Sequence, residues 1–212
     1  GVLFDGADLT DADLTGINWV DADLAGATLV DATLIDTHFG GTTGADLAGA
    51  DLTRADLTGA SLNNADLSGA KLITATLNAT HLENVDLTKL GSVSADLTGV
   101  TIENHSYLMN ANLTDATLTD ATISDSYLQN ADFGNASLSG ITVSDSYLQN
   151  SDFQGATFGA TAAISNSSLQ NAQLKGVDLS ANNNLSLTTV DLSGAKLNNS
   201  DLSGQDLTGI KL

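Results

Sequence analysis

The sequence has no cysteine and no proline, and only 6 of its 212 residues are lysine or arginine, against 26 aspartate and glutamate. Without cysteine there is no disulfide framework and no thiolate-held metal, and the redox state of the compartment leaves no mark. The formal net charge of -20 disfavours direct binding to nucleic acid, which needs cations to neutralise phosphates, and disfavours anionic membrane surfaces. It leaves room for a basic protein partner, bound cations or plain solubility. No apolar run is long enough to insert in a membrane, and the chain opens at Gly1 with no basic-plus-apolar leader, as a processed or excised chain would. Cytoplasm, periplasm and thylakoid lumen are all compatible with this composition. Charge excess often accompanies disorder, but 42% of the residues are hydrophobic and regularly spaced, which excludes that reading.

What is present is repetition. Asp125-Ser126-Tyr127-Leu128-Gln129-Asn130 returns twenty residues later as Asp145-Ser146-Tyr147-Leu148-Gln149-Asn150. Looser copies flank the pair at His105-Ser106-Tyr107-Leu108-Met109-Asn110 and Asn166-Ser167-Ser168-Leu169-Gln170-Asn171. Inside each interval runs a beat of five, as in Ala111-Asn112-Leu113, Ala116-Thr117-Leu118 and Ala131-Asp132-Phe133. In a helix a five-residue period walks about 140° around the axis at each step, and in a flat strand it alternates faces. Neither buries the pattern. A chain that turns a corner every five residues does, with the large residue and the small one two positions earlier both pointing inward. The Gly, Asp, Asn, Ser and Thr between them favour turns. Four corners close a square coil of about twenty residues, and the next coil stacks on it through backbone hydrogen bonds.

The runs Ala7-Asp8-Leu9, Ala12-Asp13-Leu14, Ala45-Asp46-Leu47, Ala50-Asp51-Leu52, Ala55-Asp56-Leu57 and Ala65-Asp66-Leu67 match the A(D/N)LXX pattern of the pentapeptide-repeat family. The chain resembles that family over nearly its whole length. The resemblance implies an all-β fold, a right-handed quadrilateral β-helix, here of about ten coils of four pentapeptides in a single domain spanning 1–212. Leu rather than Phe dominates the central position, as in the abundant cyanobacterial members.

The central residues run Phe4, Leu9, Leu14, Trp19, then Leu24 to Phe39, with phase slips near 40–44, 103–107, 159–163 and 180–186. Between Leu47 and Ile102 the beat reads as unbroken, with Ser92 a weak centre. On this frame Trp19, Phe39, Leu62, Leu82, Ile102, Ile123, Val143 and Ile164 share one inner side, and all four slips border it. The core includes Phe4, Trp19, Phe39, Leu128, Phe133, Leu148, Phe153 and Phe158.

The frame also yields a candidate partner-binding face. Asp23, Asp46, Asp66 and Asp86 stack in successive coils, and Tyr107, Tyr127 and Tyr147 continue the same column as an outward aromatic ladder. The fold does not require Tyr at an outward position, and Tyr is a preferred interface residue. Self-stacking that stiffens the rod is the alternative for the tyrosines, and a solvated, turn-forming column for the aspartates. Asn110, Asn130, Asn150 and Asn171 form a parallel ladder that reads as structural. His38 and His81 lie two coils apart with Ser61 between them, about 10 Å by stacking, too far for one metal, and His105 sits near a corner. We expect no metal or cofactor. The candidate catalytic types recur as lattice positions and do not converge, and no G-x-S-x-G, P-loop or H-E-x-x-H motif is present, so the chain reads as no enzyme.

Three functional readings follow. The first is a structural or protein-binding scaffold rod with an unidentified protein partner. The second is an acidic DNA mimic, since some members of the family the chain resembles imitate duplex DNA and act on DNA gyrase. The third is a cation-binding or surface structural module resting on the Asp column. The last turns, Leu207-Thr208-Gly209-Ile210-Lys211-Leu212, keep repeat character, which suggests an end-to-end homodimer through the C-terminal coil.

Overall fold

A computed structural model describes residues 2–159, 161–180, 186–205, 207 and 209–212. The repeating unit is a turn. The Ala12 N–H donates to the Leu9 carbonyl at 3.1 Å, and Ala27 to Leu24, Ala50 to Leu47 and Ala131 to Leu128 do the same. The third residue of each such turn lies in the left-handed region, as at Asp11 (φ 57°), Gly26 (φ 63°) and Asn130 (φ 61°). That region penalises most side chains, so the sequence fills it mainly with Gly, Asp and Asn. The outward Asp braces the same turn: Asp8 Oδ1 accepts the Thr10 N–H at 3.1 Å and the Thr10 hydroxyl at 2.7 Å. Alanine is small enough to point inward beside the turn, and Leu fills the axis. Each letter of Ala-Asp-Leu therefore has a separate physical task.

Each side then pairs with the coil on either hand. Leu29 N–H reaches the Asp51 carbonyl at 2.7 Å, and Asp51 N–H returns to Ala27 at 2.9 Å. The result is a right-handed quadrilateral β-helix. Most of its sides are too short to count as more than a single parallel bridge. One side lengthens into β1 (Thr101–Ile102), β2 (Thr122–Ser124), β3 (Thr142–Ser144), β4 (Ala163–Ser165) and β5 (Ser186–Thr188), parallel in that order.

The bridges define four faces by their outward residues. The first runs Leu3, Asp23, Asp46, Asp66, Asp86, Asn112, Asp132, Asp152, Gln173, Lys196. The second carries Asp8, Thr28, Asp51, Lys71, Asp96 and Thr117, and the third Asp13, Thr33, Asp56, Thr76, Thr101 and Thr122. The fourth runs Asn18, His38, Ser61, His81, Tyr107, Tyr127, Tyr147, Ser168, Asp191, Lys211.

Two expectations from the sequence are corrected here. Partners sit 20 residues apart in regular coils such as Asp46 to Asp66, but Lys71 pairs with Asp96, an offset of 25. An entire pentapeptide has left the coil. Leu90 and Val93 exchange backbone hydrogen bonds of 2.7 and 3.0 Å in a small antiparallel hairpin, with Gly91 at φ 61° in its tip. Leu90 folds back over Gly49 and Gly69, where a Cβ at Gly69 would come within 2.6 Å of the Leu90 Cβ. Lys89 reaches Asp115 at 2.9 Å. The beat between Leu47 and Ile102 is thus interrupted, and every later residue lies one face away from the expected position. Leu82 is followed on its inner side by Leu108, and Ile102 stacks on Leu77.

The irregular stretches consequently do not border one side. Residues 40–44 turn from the fourth face to the first, the hairpin from the first to the second, 103–106 from the third to the fourth, and the stretch between Phe158 and Ala163 from the second to the third. Ser168 pairs with Asp191 at an offset of 23, three more than in a regular coil, and Asn182-Asn183-Asn184, where that slip was expected, lie outside the described residues. Deleting residues 89–93 joins Val85-Asp86-Leu87-Thr88-Ser94 directly to Ala95-Asp96-Leu97, two regular repeats. The deletion is expected to change stability by no more than about 1 kcal/mol. Loss of cooperative thermal unfolding in that variant would show that the hairpin is part of the coil.

Leu and Ala from all four sides fill the axis, with Phe39, Leu128, Phe133 and Leu148 fully buried and Trp19, Phe153 and Phe158 nearly so. Phe133 and Phe153 stack face to face at 4.8 Å. Phe4 is only partly buried and meets Trp19 edge-on at 4.9 Å. Burying a Leu or Phe side chain contributes roughly 1.5–3 kcal/mol, set against the ordering entropy of the chain.

Candidate binding face

The four stacked aspartates serve the backbone. Asp23, Asp46, Asp66 and Asp86 each accept the N–H two residues on, from Ala25, Ala48, Ser68 and Thr88, at 2.9 to 3.2 Å. Their column continues into Asn112 and Asp132, which brace Thr114 and Gly134 in the same way. The tyrosines stand on the neighbouring face. The expected continuity of Asp23, Asp46, Asp66 and Asp86 with Tyr107, Tyr127 and Tyr147 is therefore corrected, and its cause is the hairpin at residues 89–93.

The ladder instead grows out of a histidine. His81 stacks on Tyr107 with centroids 5.0 Å apart and planes 6° from parallel. Tyr107 stacks on Tyr127 at 5.0 Å, and Tyr127 on Tyr147 at 5.3 Å. His105 tilts against Tyr127 from the side at 6.3 Å. His38 and His81 are separated by Ser61, as their spacing indicated. Sequence reasoning missed His81 as the base of the stack because the frame was displaced by one face. Among the described residues no group of three or more His, Cys, Asp or Glu is placed to hold a metal ion.

The repeated hexapeptide that carries the ladder resolves residue by residue. Asp125 and Asp145 turn the corner from the third face with φ 48° and 51°. Ser126 and Ser146, buried where Ala usually sits, donate from Oγ to the Ser124 and Ser144 carbonyls at 2.7 Å. They also tie coil to coil, because Ser126 N–H donates to Ser146 Oγ and Ser146 N–H to Ser167 Oγ, both at 3.2 Å. Leu128 and Leu148 fill the axis. Asn130 and Asn150 take left-handed φ at the next corner, where each side-chain amide N–H donates to the amide oxygen of the coil below: Asn84 to Asn64, Asn110 to Asn84, Asn130 to Asn110 and Asn150 to Asn130, at 3.0 to 3.2 Å. Tyr is left without a task in holding the coil, and the buried Oε1 atoms of Gln129 and Gln149 have no hydrogen-bond partner among the described residues.

Above Tyr147 the ladder stops, because the next residue on the face is Ser168. A depression of about 410 Å³ opens there, lined by Asp125, Asp145, Tyr147, Ser168 and Asp191 among others. Tyr147 is 45% exposed. Asp191 is held ionised: the hydroxyl and N–H of Ser193, and then Lys211, bring its carboxyl down to about 2. Asp125 faces His105 at 3.4 Å, whereas Asp145 makes no ion pair among the described residues.

Residues 3–41, 43–78, 95–135, 126–161 and 186–209 match the family described as pentapeptide repeats, in 8 copies, and the chain belongs to that family. The unmatched segment after residue 78 contains the hairpin. The chain is similar to HetL, a pentapeptide repeat protein involved in heterocyst differentiation regulation from the cyanobacterium Nostoc, with 28% identity, 96% of this chain and 88% of HetL covered, and a TM-score of 0.62. It shares the fold of a trypsin-treated variant of QnrB1, a plasmid-mediated fluoroquinolone resistance protein, at 19% identity and a TM-score of 0.50, covering 97% of this chain and 88% of that one. No curated protein matches the sequence. Among the described residues no helix is long and apolar enough to cross a membrane.

Proposed function

We propose that this chain is a non-enzymatic scaffold rod that binds a protein partner along its fourth face, on the ladder His81, Tyr107, Tyr127 and Tyr147. The observation that carries the reading is the stack itself, three ring contacts at 5.0 to 5.3 Å on a face whose other coils carry no stacked rings but Asn18, His38, Ser61, Ser168, Asp191 and Lys211. Coil stability does not call for aromatic rings there. Stacked rings are already ordered, so a partner covering them sacrifices little side-chain entropy. Membership of a repeat family whose surface is a regular lattice supports a scaffold over an enzyme.

The test replaces Tyr107, Tyr127 and Tyr147 together by Asn, the residue that occupies the equivalent position at Asn18. The variant is expected to fold and to lose the proteins that the parent captures from its source. Capture of the same proteins by both would remove the ladder from the interface. The net charge of -20 favours a second reading, an acidic mimic of DNA. A gyrase supercoiling assay separates the two, and we expect no inhibition, because an aromatic ladder imitates nothing on a phosphate backbone.

A further inference from the structure

We infer that the depression above Tyr147 binds the guanidinium group of an arginine side chain presented by a protein partner, which enters as the next rung of the ladder. The inference rests on the fourth face being the binding face and adds the chemistry that it recognises. Rungs recur every 5.0 to 5.3 Å from His81 to Tyr147. The coil beyond Tyr147 supplies Ser168, whose side chain is too small to continue the stack, so the outer face of the last ring has no aromatic cover. The Ser168 hydroxyl oxygen is buried and has no hydrogen-bond partner among the described residues. What remains is one unfilled planar position with an aromatic floor.

Its walls select for positive charge. Asp125, Asp145 and Asp191 line the depression, and the basic side chains paired with them are the His105 imidazole, 3.4 Å from Asp125, and Lys211, 3.4 Å from Asp191. Asp145 is paired with neither. The π face of a tyrosine is electronegative and attracts a cation lying over it. A guanidinium meets both demands at once, because its plane stacks on the ring while its edge directs N–H groups at carboxylates. An ammonium satisfies the carboxylates without stacking, and a neutral ring stacks without answering the charge. The chain itself has 6 basic residues against 26 acidic ones, so the arginine is expected from a partner.

The test follows tyrosine ring signals by NMR while short blocked peptides, Gly-Arg-Gly, Gly-Lys-Gly and Gly-citrulline-Gly, are added to the full chain. The arginine peptide is expected to shift Tyr147 most, to show ring-current shifts on its own side-chain methylenes, and to bind about 3-fold or more tightly than the lysine peptide. Citrulline keeps the shape without the charge and is expected to leave Tyr147 unmoved. Tyr147→Phe should retain binding, whereas Tyr147→Ser should weaken it about 3- to 30-fold. Ser168→Tyr fills the rung with a residue that the same face already accepts at Tyr107, Tyr127 and Tyr147, and it should abolish arginine binding while thermal unfolding stays cooperative. Equal binding of arginine and lysine peptides, or arginine binding that survives Ser168→Tyr, would overturn the inference. Ser168→Tyr also separates it from the broader reading. A partner that reads only the rings is still captured by that variant, and then the ladder stands as the interface while the arginine assignment falls.

Discussion

Gly44→Ala is expected to destabilise the coil by about 3 kcal/mol or more, lowering the denaturation midpoint well below the parent's. A methyl group at Gly44 would lie 2.3 Å from the Asn64 carbonyl oxygen and 2.5 Å from the Ala65 nitrogen. Both are backbone atoms of the next coil, so no side chain can swing aside. The residue also sits at φ +73°. Gly176 supplies the control, because it has the same φ of +73° with nothing within 4 Å of an added methyl. Gly176→Ala should cost only the left-handed backbone preference, about 1–2 kcal/mol. The difference between the two isolates the close approach of neighbouring coils at the corner of residues 40–44. If both variants melt alike, the coils are not in contact there.

The second large effect lies on the axis. Leu128→Ala should cost about 2–5 kcal/mol, because Leu128 is fully buried and its loss leaves a void that the lattice of backbone bonds cannot close. Leu108, Leu128 and Leu148 follow one another on the inner side, held by Leu108 N–H to Tyr127 O and Leu128 N–H to Tyr147 O at 2.7 Å. Those bonds survive the substitution, so hydrogen exchange should quicken in the coils touching the void before it does at residues 22–47. Uniform quickening along the rod would mean that it opens as one unit.

Much of this architecture was legible in the sequence. The beat of five, the inward Leu and Ala, and the slip after Phe39 each depend on local chemistry that any single repeat displays. The hairpin at Leu90 and Val93 was not legible, for a physical reason. Its length equals one repeat, so ejecting it leaves the phase of the beat untouched and only the choice of face changes. The signals were weak but present. Ser92 is a poor axial residue, and Lys89-Leu90-Gly91-Ser92-Val93 lacks the Ala-Asp-Leu signature. The asparagines at one corner were a better guide, since Asn64 and Asn84 line up with Asn110, Asn130 and Asn150 only if one repeat between them is set aside. The same offset explains the candidate face. The three tyrosines were identifiable as the outward anomaly, but their lower neighbour, His81, depended on a register that only the bridges reveal.

A solenoid of near-identical units has no intrinsic origin: any repeat can begin a coil, and successive windings agree only because something fixes where counting starts. In this chain the hairpin between Leu87 and Ala95 fixes it. Drawn into the winding, those five residues would rotate everything after them by a quarter turn, setting Tyr107 over Asp86 and separating it from His81. Leu90 lying over Gly49 and Gly69 therefore acts as a detent, a stop that chooses one of four rotational settings for the upper half of the rod relative to the lower.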